Sequence, residues 1–151
     1  MDKEATLLLE NQICFPIYSV SRLITKAYKP HLEKIGLTYP QYLVMLVLWE
    51  KDEVSVNHIT KRLLLNTNTV SPLLKRIEQL ELINRTRSAD DERTVIISLT
   101  KKGKEMKEKA SAIPMDLLHS VSNENMSETE VQLIKSTLCK WMDTLSKKEH
   151  L

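Results

Sequence analysis

The stretch 66-NTNTVSPLLKRIEQLELINRTRSADDERTVIISLT-100 decides the fold of this chain. In its first half, apolar residues between Val70 and Leu80 recur at three- and four-residue steps, which predicts a helix with one buried face. Pro72 is compatible with a helix only near the first turn, because its ring removes a backbone donor. The helix is therefore predicted to begin near Thr67–Asn68, where small polar residues suit a cap.

The second half of this stretch predicts β-structure. Ile83–Ser88 and Arg93–Thr100 are rich in β-branched residues, and they flank the polar tip 89-ADDE-92. This arrangement is typical of two strands joined by a turn. The two runs therefore predict a β-hairpin, which is the one β element that the sequence indicates.

Helical patterns occupy the chain on both sides of this stretch. Upstream, a long amphipathic helix is predicted from Ala5 to about Lys34 with an interruption at Pro16, and a buried helix capped by Thr38 follows. The other predicted helices are Ser55–Leu65, about Lys104–Ser122 with an interruption near Pro114, and about Ser127–Lys147 with a capping box at its start. A short helix, a turn, a second helix and a hairpin form a winged helix-turn-helix. The predicted fold class is mainly α with a small β-hairpin wing.

The composition is that of an ordinary globular protein. The chain has 151 residues, of which 42% are hydrophobic and 28% charged, and its two glycines favour long helices with few tight turns. No window approaches the roughly 20 apolar residues of a membrane helix, and the N-terminus lacks a secretory pattern. We therefore expect a cytoplasmic protein without membrane contact, in which Cys14 and Cys139 are free thiols.

Positive charge is concentrated in the middle of the chain. Residues 55–104 carry ten lysines and arginines against five acidic residues, whereas the whole chain has a net charge of only +2. A basic segment between acidic flanks predicts a polyanion as partner. An unevenly charged but merely solvated surface is the alternative.

The basic segment supplies the candidate contacts to double-stranded DNA. Small polar residues followed by cations on a helix suit the major groove, and hairpin arginines suit a narrow minor groove. Asp91 lies two residues before Arg93 on one strand face, so we expect its carboxylate to orient the guanidinium; a weak surface ion pair is the alternative. The DNA-binding candidates are Thr67, Asn68, Thr69, Ser71, Lys75, Arg76, Arg85, Arg87, Asp91 and Arg93.

A dimer is expected because two recognition helices must meet the two half-sites of a pseudo-palindromic operator. The predicted organisation is one intertwined domain with two parts. Residues 37–100 form the winged helix-turn-helix region that binds DNA, and residues 1–36 and 101–151 form a helical dimerisation region.

The same residues carry a family resemblance. TNTVSPLLKRIEQLELINRTRSADDERTVIISLT resembles the helix-plus-wing signature of the MarR family of winged-helix repressors. The resemblance includes the Asp-x-Arg…Leu-Thr motif with which the wing of that family ends, formed here by Asp91, Arg93, Leu99 and Thr100. LENQICFPIYSVSR and KAYKPHLEKIGLTYPQYLVMLVLWE resemble the organic-hydroperoxide-sensing branch of that family and its one-thiol oxidation-sensing relatives. The resemblance spans nearly the whole chain.

The resemblance implies a redox sensor at Cys14. In the resembled branch, the sensor cysteine is held by tyrosine hydroxyls of the partner subunit, at the positions of Tyr28 and Tyr39 here, and Tyr18 also matches. The spacing agrees with a tyrosine from the partner subunit. Fourteen helical residues place Tyr28 about 21 Å from Cys14 along the axis of one straight helix, so the two side chains of a single chain cannot meet. If the regular helix starts near Phe15–Pro16, Cys14 lies at its N-terminal end, where the helix dipole favours a thiolate. A buried, inert cysteine is the alternative.

The implied function is that of a repressor which leaves its operator when an organic hydroperoxide or a related oxidant oxidises Cys14. Cys139 is either a resolving thiol or a passive interface residue, and the passive role is favoured. The main alternative is a repressor gated by a phenolic or other apolar ligand in a pocket at the dimer interface. An enzyme that consumes peroxide is disfavoured by the basic helix and wing. No cofactor or metal is expected, because the four histidines lack metal-ligand spacing and there is no phosphate-binding glycine loop.

Overall fold

The computed structural model describes residues 5–121 and 127–148, which contain seven α-helices and three strands. The helices are α1 Cys14–Glu33, α2 Tyr39–Glu50, α3 Val56–Leu63, α4 Thr67–Gln79, α5 Lys101–Ala110, α6 Ile113–Val121 and α7 Glu128–Lys148. The strands β1 Val54–Ser55, β2 Ile83–Arg87 and β3 Val95–Leu99 form one antiparallel sheet in the order β1-β3-β2. Helices α3 and α4 pack together and the β2–β3 hairpin follows. The predicted winged helix-turn-helix is confirmed.

The start of α1 differs from the prediction. A continuous helix from Ala5 is wrong, because two single-turn 3-10 helices precede α1, which begins at Cys14. The Asn11 side chain donates to the Ala5 carbonyl at 2.7 Å, and the Gln12 side chain donates to the Leu8 carbonyl at 3.2 Å. Side-chain donors thus occupy carbonyls that a regular helix would use. Because α1 begins at Cys14, this thiol lies in the first turn of the helix.

Side-chain caps fix the starts of two central helices. At α2, the Thr38 N–H donates to the Gln41 side chain at 2.8 Å, which confirms the predicted cap. At α4, the Thr69 N–H donates to Asn66 Oδ1 at 2.9 Å. The predicted start of α4 near Thr67 is therefore also confirmed.

Strand β1 is a feature that the sequence pattern misses. It lies on the other side of β3 from β2, with Val54 opposite Ile97, and two residues are too few to show an alternating pattern. Asp52, just before β1, accepts a hydrogen bond from the Leu99 N–H at 2.8 Å through its Oδ1. The wing is thereby joined to the end of α2.

The helices after the wing follow the prediction with one change. Helix α5 begins at Lys101, earlier than predicted, because Thr100 caps it by accepting a hydrogen bond from the Gly103 N–H at 3.0 Å. The predicted interruption near Pro114 is the break between α5 and α6. At α7, the Ser127 N–H donates to the Glu130 carboxylate at 2.8 Å, as in the predicted capping box.

The two glycines meet different requirements. Gly36, between α1 and α2, has a φ of +72°, which L side chains rarely adopt, although the space that a Cβ would occupy there is open to 4 Å. At Gly103 the limit is space, because a Cβ there would lie 2.1 Å from the Leu82 carbonyl oxygen. The backbone of α5 therefore packs directly against the junction of α4 and β2.

The hydrophobic core lies in the middle of the chain. Its fully buried side chains include Tyr42, Val44, Met45, Leu48, Ile59, Val70, Leu74, Ile77, Leu82, Ile83 and Ile97. The terminal segments differ, because they expose large apolar side chains that include Leu7, Leu9, Ile13, Val20, Leu23, Ile134, Leu138, Trp141, Met142 and Leu145. Within the described residues, no helix has the length and apolar character that a membrane span requires.

Candidate nucleic-acid interface and thiol site

Helix α4 and the wing meet at one concave surface. A hollow of about 400 Å³ is lined by Ser55, Val56, Asn57, Thr67, Ser71, Arg85, Arg93, Thr94 and Val95. Four of the predicted DNA-binding residues, on two different elements, therefore share one surface. The other predicted residues on α4, which are Asn68, Thr69, Lys75 and Arg76, are exposed beside it.

The exposed start of α4 is held by Asn66. Its Oδ1 accepts hydrogen bonds from both the backbone N–H and the hydroxyl of Thr69, each at 2.9 Å. The Thr69 hydroxyl thus donates within the protein and keeps only acceptor capacity for a ligand. Thr67 and Asn68 make no side-chain hydrogen bond to another described residue.

At the tip of the wing, Asp91 shapes the turn. Its Oδ1 accepts from the Arg93 N–H at 3.0 Å, and its Oδ2 accepts from the Thr94 hydroxyl at 2.8 Å. These two bonds, with that of Thr94 the larger influence, hold the pKa of Asp91 below its usual value. The expected bond to the Arg93 guanidinium is not formed. The carboxylate instead fixes the backbone that carries Arg93.

Most cations of this surface have no acidic partner. Arg85 is the exception, with its guanidinium 3.8 Å from the Glu78 carboxylate on α4, which ties β2 to that helix. Among the described residues, Lys75, Arg76, Arg87 and Arg93 form no ion pair. The surface therefore presents uncompensated positive charge, as an anionic partner requires.

The two cysteines are free and exposed in the chain as described. Cys14 is the first residue of α1 and Pro16 the third, where the missing N–H of proline costs no helical hydrogen bond. Tyr18 is also exposed, at 64%, and its ring lies 5.9 Å from the Arg22 guanidinium carbon. Cys139 lies on α7. Both thiols are thus accessible in the single chain. Cys14 is not buried there, contrary to the alternative of a buried, inert cysteine.

Tyr28, Tyr39 and Tyr42 form a tyrosine cluster between α1 and α2. The ring of Tyr28 lies 4.9 Å from that of Tyr39 and 5.8 Å from that of Tyr42, measured between centroids. Burial raises the pKa of Tyr28 to about 12, with further contributions from Tyr39 and Tyr42. Burial also raises the pKa of Tyr39. The phenols therefore stay neutral near pH 7 and remain hydrogen-bond donors, and none of the three hydroxyls bonds to another described residue.

Sequence reasoning missed several residues of these two sites. Tyr42 belongs to the tyrosine cluster, and its spacing of three residues from Tyr39 on α2 was the available signal. Asn57 and Thr94 line the concave surface, but no sequence pattern connects either of them to α4. Among the described residues there is no group of three or more His, Cys, Asp or Glu side chains that could hold a metal ion.

Comparison with known proteins gives consistent results. Residues 26–110 match the family model described as transcriptional regulator SarA/Rot. The chain is 46% identical over 140 residues to the organic hydroperoxide resistance transcriptional regulator of Bacillus subtilis, and the match covers 93% of both chains.

Two solved structures of AbfR of Staphylococcus epidermidis are also similar to this chain. Reduced AbfR bound to DNA has a TM-score of 0.77 at 36% identity, covering 96% of this chain and 99% of that one. Disulfide-formed AbfR has a TM-score of 0.63 at 35% identity, covering 99% and 97%. The fold, the family match and these identities agree with the resemblance in the sequence. The chain belongs to the MarR family of winged-helix transcriptional regulators, in the branch of the organic hydroperoxide resistance regulators.

Proposed function

We propose that the chain is a homodimeric repressor that binds a pseudo-palindromic operator and releases it when an organic hydroperoxide oxidises Cys14. The observation that carries this proposal is the pairing of two features on opposite ends of α1. An exposed thiol starts the helix, and two neighbouring phenols without a bonding partner in the described chain lie near its other end. The phenol hydroxyls would donate hydrogen bonds to the sulfur, and the sulfur would give them the acceptor that they lack in the described chain.

DNA binding rests on the concave surface between α4 and the wing. The exposed polar residues at the start of α4 would enter the major groove, where base edges are read, and Lys75 and Arg76 would meet phosphates. Arg87 and Arg93 would extend the contact through the wing. The similarity to AbfR, which was solved on DNA, supports this assignment.

Dimerisation would cover the exposed apolar faces of the terminal helices. Residues 1–36 and 101–151 would form the dimerisation region, and residues 37–100 would form the DNA-binding region. Exposed apolar patches of this kind mark interaction surfaces, and two-fold pairing also matches a palindromic operator. Antiparallel α1 helices would bring Cys14 of one subunit to Tyr28 and Tyr39 of the other, with Tyr18 beside the thiol.

The proposed chemistry begins at the Cys14 thiolate, which the start of α1 and neutral phenol donors stabilise. Its sulfur attacks the outer oxygen of the hydroperoxide, so that an S–O bond forms and the O–O bond breaks. The departing alkoxide takes a proton and leaves as an alcohol, with sulfur oxidised by two electrons. The sulfenic acid then condenses with a thiol, which forms a disulfide and releases water. Loss of the phenol contacts would change the spacing of the two wings.

The second thiol in this reaction is either a small-molecule thiol or Cys139 of the partner subunit. Cys139 is exposed on α7, so it is accessible for either a resolving or a passive interface role. A Cys139-dependent dimer band on non-reducing gels after peroxide treatment would support resolution, and its absence would leave Cys139 as an interface residue.

A ligand-gated repressor is the second candidate, and one observation favours it. A hollow of about 450 Å³ lies between α1 and the start of α2, lined by Arg22, Lys26, Lys29 and Tyr39 among others. Such a hollow has the size of a small-molecule site. In this case Cys14 would be incidental.

One experiment separates the two candidates. Operator binding by the wild type and by Cys14→Ser is measured with and without cumene hydroperoxide, on a DNA fragment selected for binding the reduced protein. We expect the wild type to lose at least tenfold in affinity and Cys14→Ser to keep its affinity, which is about 1.4 kcal/mol of difference. Equal release of Cys14→Ser would contradict the proposal, and retention of DNA by both proteins would favour the ligand-gated candidate.

A further inference from the structure

Helix α2 connects the tyrosine cluster to the other end of the core. Tyr39 and Tyr42 lie near its start, Trp49 lies in its last turn, and the Tyr42 and Trp49 rings are in edge contact at 6.2 Å between centroids. The helix has 12 residues and so is about 18 Å long. Because half of its residues are buried along one packed face, we expect a displacement at its start to move the whole helix.

The last turn of α2 is tied to the first turns of α5. The indole Nε1–H of Trp49 donates to the Gly103 carbonyl at 2.9 Å, across 54 positions of sequence. In return, Lys107 Nζ donates to the Trp49 carbonyl at 2.9 Å. Trp49 is therefore both donor and acceptor at this contact.

Gly103 in turn packs on the junction between α4 and the wing. A Cβ at this glycine would lie 2.1 Å from the Leu82 carbonyl oxygen, and the Thr100 N–H donates to the same oxygen at 3.0 Å. Lys102 Nζ donates to the Leu80 carbonyl at 2.8 Å. A shift of α5 at Gly103 therefore displaces the end of α4 and the start of β2.

Open space beside this contact allows a second arrangement. A hollow of about 310 Å³ lies between α2 and the α5–α6 segment, and it is lined by Tyr42, Trp49, Lys107 and Ala110 among others. Trp49 is only half-buried, whereas Leu74 and Ile77 of α4 are completely buried. A coupling element needs two discrete positions, and this is where the packed region leaves room for them.

We propose that Trp49 is a positioning residue that transmits the state of the tyrosine cluster to α4 and the wing through its hydrogen bond to Gly103. This inference rests on the proposed function, because the cluster must sense the oxidation of Cys14. In the reduced dimer, α2 holds α5 and the wing in the position that fits the operator. Oxidation releases the cluster, α2 shifts, and Trp49 carries the shift to Gly103.

The test is the ratio of operator dissociation constants, oxidised over reduced, in the full-length dimer. Trp49→Phe keeps a ring beside Tyr42 but removes the indole donor, so the ratio is expected to fall at least tenfold from the wild-type value. Glu50→Gln is the matched control. Glu50 follows Trp49 in the chain and forms an ion pair with Arg62 on α3, so this change removes that ion pair and leaves the contact with α5 intact. Its ratio is expected to stay within twofold of the wild type.

A spectroscopic measurement covers the case in which Trp49→Phe no longer binds DNA. The chain has two tryptophans, so protein labelled with 5-fluorotryptophan gives two ¹⁹F resonances, and Trp49→Phe identifies that of Trp49. Cumene hydroperoxide is expected to shift this resonance in wild-type protein and not in Cys14→Ser. An unshifted Trp49 resonance overturns this inference, and so does a ratio of dissociation constants in Trp49→Phe equal to that of the wild type. In both cases the proposed function still stands if the oxidised wild type releases its operator. A wild type that stays on its operator after oxidation overturns both.

Discussion

The winged helix-turn-helix of this protein and its terminal helices differ in how far their apolar side chains are covered. In residues 37–100, apolar side chains such as Val70 and Leu74 are fully buried, and α2 and α4 begin with side-chain caps. On α7, by contrast, Leu138 is 37% exposed and Leu145 52% exposed. The first region completes its core within one chain. The terminal helices carry an apolar face that is exposed in the single chain and that the proposed dimer would cover.

The largest expected effect is in the completed core. Leu74→Ala removes a fully buried side chain of α4 and leaves a cavity, so the free energy of unfolding should fall by about 2–5 kcal/mol. Leu133→Ala is the control on α7. Its side chain is 65% exposed and points away from the face that carries Leu138, because five helical residues separate the two, so the change should alter stability by less than about 0.5 kcal/mol. Urea unfolding measures both. Equal losses for the two variants would erase the contrast between the regions.

A charge on the terminal apolar face tests the other side of the contrast. Leu138→Asp would place an unpaired carboxylate in the proposed interface, so the dimer dissociation constant should rise at least tenfold, which is about 1.4 kcal/mol. Ser136→Asp adds the same charge on a different face of α7 and should leave the dimer intact. Analytical ultracentrifugation distinguishes them. An unaffected dimer in Leu138→Asp would place the interface elsewhere.

A smaller effect is expected at the start of α4, where stability and DNA binding can be separated. Asn66→Ala removes the acceptor for the Thr69 N–H and hydroxyl, so the free energy of unfolding should fall by about 1 kcal/mol. Asn68→Ala removes no hydrogen bond to a described residue. It should leave the melting temperature unchanged and weaken operator binding. The assignment of Asn68 to the DNA surface would be wrong if its operator affinity matched that of the wild type.

The smallest effect concerns alkaline pH. The pKa of Tyr28 is raised from 10.0 to about 12, so between these values the unfolded chain has lost a proton that the folded chain keeps. Its contribution to stability is therefore fully present below pH 10 and is lost as the pH rises towards about 12. Tyr28→Phe should reduce this alkaline loss and leave stability at pH 7 similar. Unfolding measured from pH 9 to 12 tests this, and an unchanged pH slope would count against burial of the Tyr28 hydroxyl.

The sequence was most informative where structure is determined locally. The apolar period and the small polar residues at its start predicted α4, and β-branched runs predicted the hairpin, because these signals depend on neighbouring residues. The start of α1 was misplaced because the side chains of Asn11 and Gln12 bond to carbonyls up to six residues back, which no apolar pattern reveals. Strand β1 was missed because its pairing with β3 is a long-range contact.

The candidate sites show the same division. Tyr28 and Tyr39 came from the family resemblance, since eleven positions and a turn separate them and spacing alone could not place their rings 4.9 Å apart. Asp91 was correctly placed on the wing, but its partner was not foreseen. Two residues of separation allow either a guanidinium or a backbone N–H as donor, and the tight turn favours the backbone.

The close approach of Gly103 to Leu82 has a consequence for the chemistry that each glycine position tolerates. At Gly36 the restriction is one of handedness, so a D-alanine introduced by chemical synthesis would fit its φ of +72° and open surroundings. At Gly103 the L-alanine side chain has no room, because the Leu82 carbonyl oxygen occupies its place. A single hydrogen atom at this α-carbon therefore sets how closely α5, which leads to the terminal region, approaches the junction of α4 and β2.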